Sequence, residues 1–146
     1  MRSSPGAYVL LVFLPDPLTV QVGALGRLDL PAGHYLYCGS AQAGLLPRLA
    51  RHMRPDKKVH WHIDSLTSEG QVIGALTFEG GKETECRLAR FLSYVPFVLP
   101  AAKGFGSSDC HCHTHLFYVG EDTQLSFVLN ALLGSFQGRE LNGESI

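Results

Sequence analysis

Residues 34–41 read HYLYCGSA, and after two residues the chain continues as GLLPRLARH over residues 44–52. The first run predicts an aromatic-rich strand that ends in a turn of small residues. The second run predicts a helix over 45–54, because Pro47 fits a first helical turn, where its missing N–H costs nothing. A tyrosine at the end of a strand that faces an arginine one turn into the next helix can form a phosphate-binding site.

The rest of the chain predicts one α+β domain over residues 1–134, with a small, mostly antiparallel sheet flanked by helices. Residues 7–14 are continuously apolar, which is typical of a central strand buried on both faces. Residues 18–22 are expected to return as a short strand and form a hairpin with it, before an irregular stretch over 23–33.

Later segments complete this prediction. Strand character recurs at 71–78 and 116–119. Thr84 is expected to cap a helix over 85–93, and a last helix is expected over 125–133. The segment from Trp61 to Leu66 fits either a short helix or an extended chain. Residues 135–146 are expected to form a flexible C-terminal tail.

Composition limits the possible environments of the protein. The 146 residues carry a net charge of −1, and 45% of them are apolar. No apolar run approaches the roughly 20 residues that a membrane span needs. Because the N-terminus also lacks a secretory pattern, we expect a cytoplasmic protein without a membrane partner, with its four cysteines as reduced thiols.

Positive charge is concentrated in the segment 48–58, although the whole chain is nearly neutral. A local patch of this kind favours binding of a phosphate backbone, whereas a solvated helix face is the plain alternative. The basic residues are Arg48, Arg51, Arg54, Lys57 and Lys58.

A second chemical feature is the run DCHCHTH at residues 109–115, which holds two cysteines and three histidines. Zinc is the metal that such donors prefer. The Cys-x-Cys spacing has no second well-spaced pair, however, unless Cys86 or Cys38 joins it. A zinc-binding protein built on this loop is therefore one alternative function.

Five sequence fragments in order resemble the GIY-YIG nuclease superfamily, and most closely its Uri-type branch. Gly6-Ala7-Tyr8 and Tyr37-Cys38-Gly39 correspond to the two signature tripeptides, although both middle residues differ from the eponymous pattern. The resemblance covers about residues 6–119. The fragments are His34–Ala41, Arg51-His52, Trp61–Asp64, Glu85-Cys86 and Gly104–Cys110.

The resemblance implies catalytic roles for Tyr8, Tyr37, Arg48, His52 and Glu85. Arg48 would hold the phosphate, and the tyrosines would position or deprotonate a water. Glu85 would hold a single Mg²⁺ (or Mn²⁺), an ion that needs few carboxylates. Without the resemblance, Glu85 would be read as an acid that complements a helix N-terminus.

Further residues would assist this site. Arg51, Arg54, Lys57 and Lys58 are expected to bind nucleic acid. If residues 61–64 are extended, His62 and Asp64 share one side and support the site, although a helix cap is an equal reading. Asp109 and Cys110 are expected to lie close by.

The sequence thus predicts a metal-dependent endonuclease that hydrolyses DNA by in-line attack of an activated water, as in DNA repair. Its DNA would be branched or damaged, and the domain would need a protein partner or would recognise DNA shape, because no added DNA-recognition domain is apparent. The alternatives are a non-catalytic nucleic-acid-binding module with the same fold and the zinc-binding protein.

Overall fold

The computed structural model describes residues 5–54, 61–107 and 110–142. Over these ranges, antiparallel strands are combined with four α-helices, which confirms the predicted α+β class. The strands are β1 (Gly6–Leu14), β2 (Leu18–Val22), β3 (Gly26–Leu30), β4 (Gly33–Ala41), β5 (Gln71–Phe78), β6 (Leu99–Pro100), β7 (Leu116–Val119) and β8 (Gly138–Asn142). The helices are α1 (Leu45–Met53), α2 (His62–Glu69), α3 (Lys82–Leu92) and α4 (Asp122–Ser135).

The main sheet of the described residues has six strands in the order β6-β7-β4-β1-β5-β8, and every neighbouring pair is antiparallel. β1 lies inside the sheet, with β4 on one side and β5 on the other. None of the described helices combines the length and the apolar character that crossing a membrane requires.

The side chains of β1 alternate between two hydrophobic cores, which explains why its sequence is apolar throughout. Val9 and Leu11 enter one core, where the buried faces of α3 and α4 cover the sheet. Tyr8 and Leu10 enter the other core, with Leu49 of α1 and residues of α2. Strands buried on both faces are expected to lose the usual apolar–polar alternation.

The hairpin predicted between β1 and β2 is wrong. β2 pairs with β3 in a separate two-stranded sheet, joined by a short 3₁₀ turn at Gly23–Leu25. Gly23 and Gly26 supply the positive φ values of this turn, 43° and 78°. Both edges of β1 are already occupied by β4 and β5, so β2 has no free edge to join.

Two further expectations need correction. α3 begins at Lys82 after Gly81, so Thr84 lies inside the first turn and is not the cap. Residues 138–142 form β8, which pairs with β5, where a flexible tail from residue 135 was expected. Pairing with β5 and the packing of Leu141 against the core hold this strand, although its sequence has no apolar alternation.

Candidate functional site

A groove of about 360 Å³ collects residues from β1, β4 and the first three helices of the chain. Tyr8 and Tyr37 come from neighbouring strands, Arg48 from α1 and Glu85 from the first turn of α3. Four residues that the sequence singled out, separated by up to 77 positions, therefore line one surface. The other lining residues are Gly39, Ser40, Trp61, His62, Lys82 and Gly106.

Two tyrosines line this groove, of which Tyr8 is buried and Tyr37 is half-buried. Their ring centroids are 6.4 Å apart. The Tyr8 hydroxyl lies 2.8 Å from Nε2 of His52, which is fully buried. Burial raises the pKa of Tyr8, and the nearby Arg48 guanidinium opposes this rise. Burial raises the pKa of Tyr37 as well, with further contributions from Tyr8 and Glu85. Both phenols are therefore protonated at neutral pH.

The second signature glycine explains how the Tyr8 ring reaches this position. A Cβ at Gly39 would lie 2.4 Å from Cζ and 2.5 Å from the hydroxyl oxygen of Tyr8. These distances are far below van der Waals contact, so any larger residue would displace the ring. Gly39 is thus needed for close approach rather than for an unusual backbone angle.

Arg48 lies at the mouth of the groove. Its Nη1 donates a hydrogen bond to the carbonyl of Ser40, 3.1 Å away. Its guanidinium carbon is 4.3 Å from the ring centroid of Trp61, within range of a cation–π interaction. These two contacts hold a forked donor beside the phenols, which is the arrangement that suits a phosphate.

Arg51 has a different environment, although it was expected to bind nucleic acid. Its two terminal nitrogens donate to the two oxygens of Asp64, at 2.7 and 2.9 Å. Asp64 is completely buried, and it also accepts the backbone N–H of Trp61. The pair joins α1 to α2, so Arg51 already has a structural partner.

The extended reading of residues 61–64 is wrong, because α2 begins at His62. His62 and Asp64 consequently do not share one side. The Asp64 side chain accepts the backbone N–H of Trp61, the N-cap residue of α2, which agrees with the cap reading. His62 instead accepts the backbone N–H of Gly106 through Nδ1, at 3.0 Å, and so ties the loop before β7 to the groove.

Glu85 connects the groove to a second group of residues. Its Oε2 lies 3.0 Å from Nδ1 of His115, a fully buried histidine. No aligned hydrogen-bond partner for that nitrogen is found among the described residues. Glu85 is itself buried. Its side chain lines the groove, and its carboxylate contacts this imidazole.

The other nitrogen of His115 faces a cluster of thiols. Nε2 is 3.5 Å from Sγ of Cys110 and 3.9 Å from Sγ of Cys86. The donor atoms of Cys86, Cys110, Cys112 and His115 all lie within 4.8 Å of one another, so the group has the composition and size of a metal site. Burial, followed by the neighbouring thiols, raises the pKa of Cys86 to about 12.

A larger cavity of about 790 Å³ lies beside these thiols. Its walls include Ala89 and Phe117 as well as Cys86, Cys110 and Cys112. Among the described residues, none of the groove's Tyr8, Tyr37, Arg48 or Glu85 lines it, so its size does not make it the candidate active site.

Arg54 and Cys110 are not among the residues that line the groove. Lys57, Lys58 and Asp109 fall outside the described residues. Arg54 is exposed just after α1, where its backbone N–H donates to the Arg51 carbonyl. Cys110 belongs to the thiol cluster rather than to the groove wall.

Sequence reasoning did not single out His115 as the residue that joins the two groups. Cys38, one of the two cysteines considered as a partner of the Cys-x-Cys pair, is fully buried in the core, and Cys86 takes that place. The signal that was available is the adjacency of Glu85 and Cys86, which puts the two side chains on different sides of one helix.

A comparison with protein families gives a match over residues 7–137 to the family described as "Domain of unknown function DUF123". No curated protein and no solved structure gives a significant match. Since the matched range includes most of the chain, the chain belongs to the DUF123 family.

Proposed function

We propose that this member of the DUF123 family hydrolyses phosphodiester bonds of DNA, as its resemblance to GIY-YIG nucleases of the Uri type suggests. The observation that supports the proposal is the groove itself. Two phenols, a guanidinium and a carboxylate, which are scattered over the sequence, meet around a space of about 360 Å³. Those groups supply what in-line hydrolysis of a phosphodiester needs.

Arg48 would bind the scissile phosphate. Its planar fork donates to two phosphoryl oxygens at once, and the negative charge on those oxygens is redistributed in the transition state. Lys82 lines the same groove and adds positive charge to its wall. The contacts of Arg48 with Ser40 and Trp61 fix the fork before the substrate arrives, which reduces the entropic cost of binding.

Tyr8 and His52 would move the proton of the attacking water. Because burial raises the pKa of Tyr8, its phenol is a poor base on its own. The phenol can accept a proton from water only as it passes its own proton to Nε2 of His52, 2.8 Å away. Imidazole is the side chain best suited to hold a proton near neutral pH. Tyr37 would orient the water from the adjacent strand.

The donor set of the groove fits one hard divalent cation. Glu85 is the carboxylate that the described residues place on the groove wall, and Mg²⁺ is commonly bound through one or two carboxylates with several waters. Glu85 would hold Mg²⁺ or Mn²⁺. When bound, such an ion supplies positive charge to the phosphoryl oxygens and lowers the pKa of a nearby water.

The test is a nicking assay on supercoiled plasmid with Mg²⁺, and separately with Mn²⁺. Wild-type protein should convert plasmid to the nicked form, and E85Q should bind DNA but cut it at least about 100-fold more slowly. E83Q is the matched control: Glu83 lies on the same helical turn, is exposed, and is absent from the groove lining.

Equal cutting rates for E85Q and wild type would refute the role of Glu85. A folded wild-type protein that binds DNA without nicking it, in either ion, would refute the hydrolase proposal. That result would favour the non-catalytic binding module instead.

A further inference from the structure

We propose that Cys86, Cys110, Cys112 and His115 bind one zinc ion, and that this ion fixes the orientation of His115 and, through it, of Glu85. The zinc site does not depend on the proposed hydrolysis. It is defined by residues that the groove does not use, apart from the contact between His115 and Glu85.

The chemistry of the four donors selects zinc. Three thiolates and one imidazole form one of the standard sets of structural zinc sites, whereas Mg²⁺ and Mn²⁺ prefer oxygen donors. The four residues come from two elements, since Cys86 lies on α3 and the other three lie in or next to the loop before β7. A bound ion would therefore fasten this loop to the helix.

Two distances between donor atoms agree with tetrahedral coordination. Zn–S bonds of about 2.3 Å and a Zn–N bond of about 2.0–2.1 Å place sulfur and nitrogen about 3.6 Å apart at tetrahedral angles. The two measured separations from Nε2 of His115, 3.5 Å to Cys110 and 3.9 Å to Cys86, lie close to that value. All the separations among the four donor atoms are at most 4.8 Å, so the group is compact enough to surround one ion.

The orientation of His115 provides an independent argument. Metal-bound histidines almost always donate their second ring N–H to a carboxylate, a carbonyl or a water. Nδ1 of His115 is buried and has no aligned hydrogen-bond partner among the described residues, and the nearest carboxylate oxygen, Oε2 of Glu85, lies 3.0 Å away. Zinc bound to Nε2 would leave the ring proton on Nδ1. Nδ1 would then be the donor, and Glu85 would accept its hydrogen bond.

This arrangement couples the zinc site to the groove. One oxygen of Glu85 would be held by His115, while the side chain lines the groove. The large cavity beside the thiols, which Cys86, Cys110 and Cys112 line, offers an entry path for the ion.

The first experiment measures metal content. The wild-type protein is incubated with zinc under reducing conditions, passed over a desalting column and analysed by mass spectrometry for bound metal. We expect about one zinc per chain in wild type and in H113Q, and less than about a tenth of that in C110S. His113 is the matched control because it is exposed, lies in the same loop and is outside the cluster.

A second measurement avoids the risk that C110S fails to fold. Wild-type protein loaded with zinc is titrated with an organomercurial reagent, and released zinc is followed with a chelating dye. Release should be complete when about three thiols have reacted, since Cys38 is buried in the core. Wild type that takes up no zinc, or zinc that stays bound after those thiols react, would overturn the proposal.

The coupling is tested by chelator competition with E85Q and E83Q. Loss of the carboxylate that orients a metal-bound histidine lowers metal affinity by about 10- to 100-fold. We expect this decrease for E85Q and none for E83Q; equal affinities would refute the link to Glu85. The nicking rates of E85Q and wild type are compared at zinc saturation, so that loss of zinc is not mistaken for loss of hydrolysis.

Discussion

Replacing Asp64 with asparagine should destabilise the protein strongly, although it removes no atom from the core. The carboxylate is fully buried, and its Oδ2 accepts both the Trp61 amide and one Arg51 nitrogen. Its Oδ1 accepts the other Arg51 nitrogen at 2.7 Å. If the asparagine oxygen takes the place of Oδ2, its NH₂ group faces an N–H donor of Arg51.

The structure sets the size of this effect. D64N loses one charge-assisted hydrogen bond, of about 1.5–3 kcal/mol, and puts two donors against each other. Breaking one partner of a buried pair costs about 3–5 kcal/mol. The Arg51 side chain keeps 20% of its exposure and can regain water, so we expect the lower end, about 3 kcal/mol.

The assay is urea unfolding followed by the fluorescence of Trp61, which is the one tryptophan of the chain and lies beside the pair. With a slope of about 2 kcal/mol/M, the midpoint of D64N should fall by about 1.5 M. D29N is the matched control, because Asp29 also accepts a hydrogen bond from an arginine, Arg27, whereas 66% of its side chain is exposed. Ion pairs that are exposed to solvent contribute little to the free energy of unfolding.

D29N should therefore keep the wild-type midpoint. Equal midpoints for D64N and D29N would refute the argument that the buried carboxylate holds α1 to α2.

Two further predictions concern Gly39, which lies opposite Tyr8 on the neighbouring strand, and the two tyrosines of the groove. G39A should destabilise the protein by about 2 kcal/mol or more, because its Cβ would overlap the buried Tyr8 ring. The control is G134A in α4, whose Cβ would meet no atom within 4 Å and which should stabilise the protein by about 0.5–1 kcal/mol. Thermal melting of both variants checks this, and a G39A melt no lower than wild type would contradict the close approach. Because burial raises the pKa of Tyr8 and Tyr37, folding should be most favourable below about pH 10 and weaken above it, where the unfolded chain releases phenol protons that the folded chain keeps. Y37F should weaken less steeply than wild type in urea unfolding between about pH 9 and pH 11, and parallel curves would argue against burial of this phenol.

Much of the fold follows from local pattern. The apolar run at 7–14 and the segments 71–78 and 116–119 correspond closely to β1, β5 and β7, because strand length and burial are written in consecutive residues. The partner of β2 could not be read in this way. It depends on which sheet edges remain free once β4 and β5 have paired with β1, and that is a property of the whole chain.

For the candidate site too, some features could be predicted from the sequence and others could not. The resemblance picked out Tyr8, Tyr37, Arg48 and Glu85, and the structure brings these residues to one groove, while their catalytic roles stay predictions. Contacts that depend on tertiary packing could not be predicted from the sequence. Neither the pairing of Arg51 with Asp64 nor the contact of His115 with Glu85 leaves a spacing signature, since loops separate the partners.

The wide spread of the groove residues along the chain has a consequence for biosynthesis. The groove lining runs from Tyr8 to Gly106, and its walls come from both layers of helices. A nascent chain on the ribosome that has not yet released residue 106 lacks the loop whose Gly106 lines the groove and donates to His62. If the groove hydrolyses DNA as we propose, that activity would begin only after this loop has left the exit tunnel and docked, and incomplete translation products would lack it.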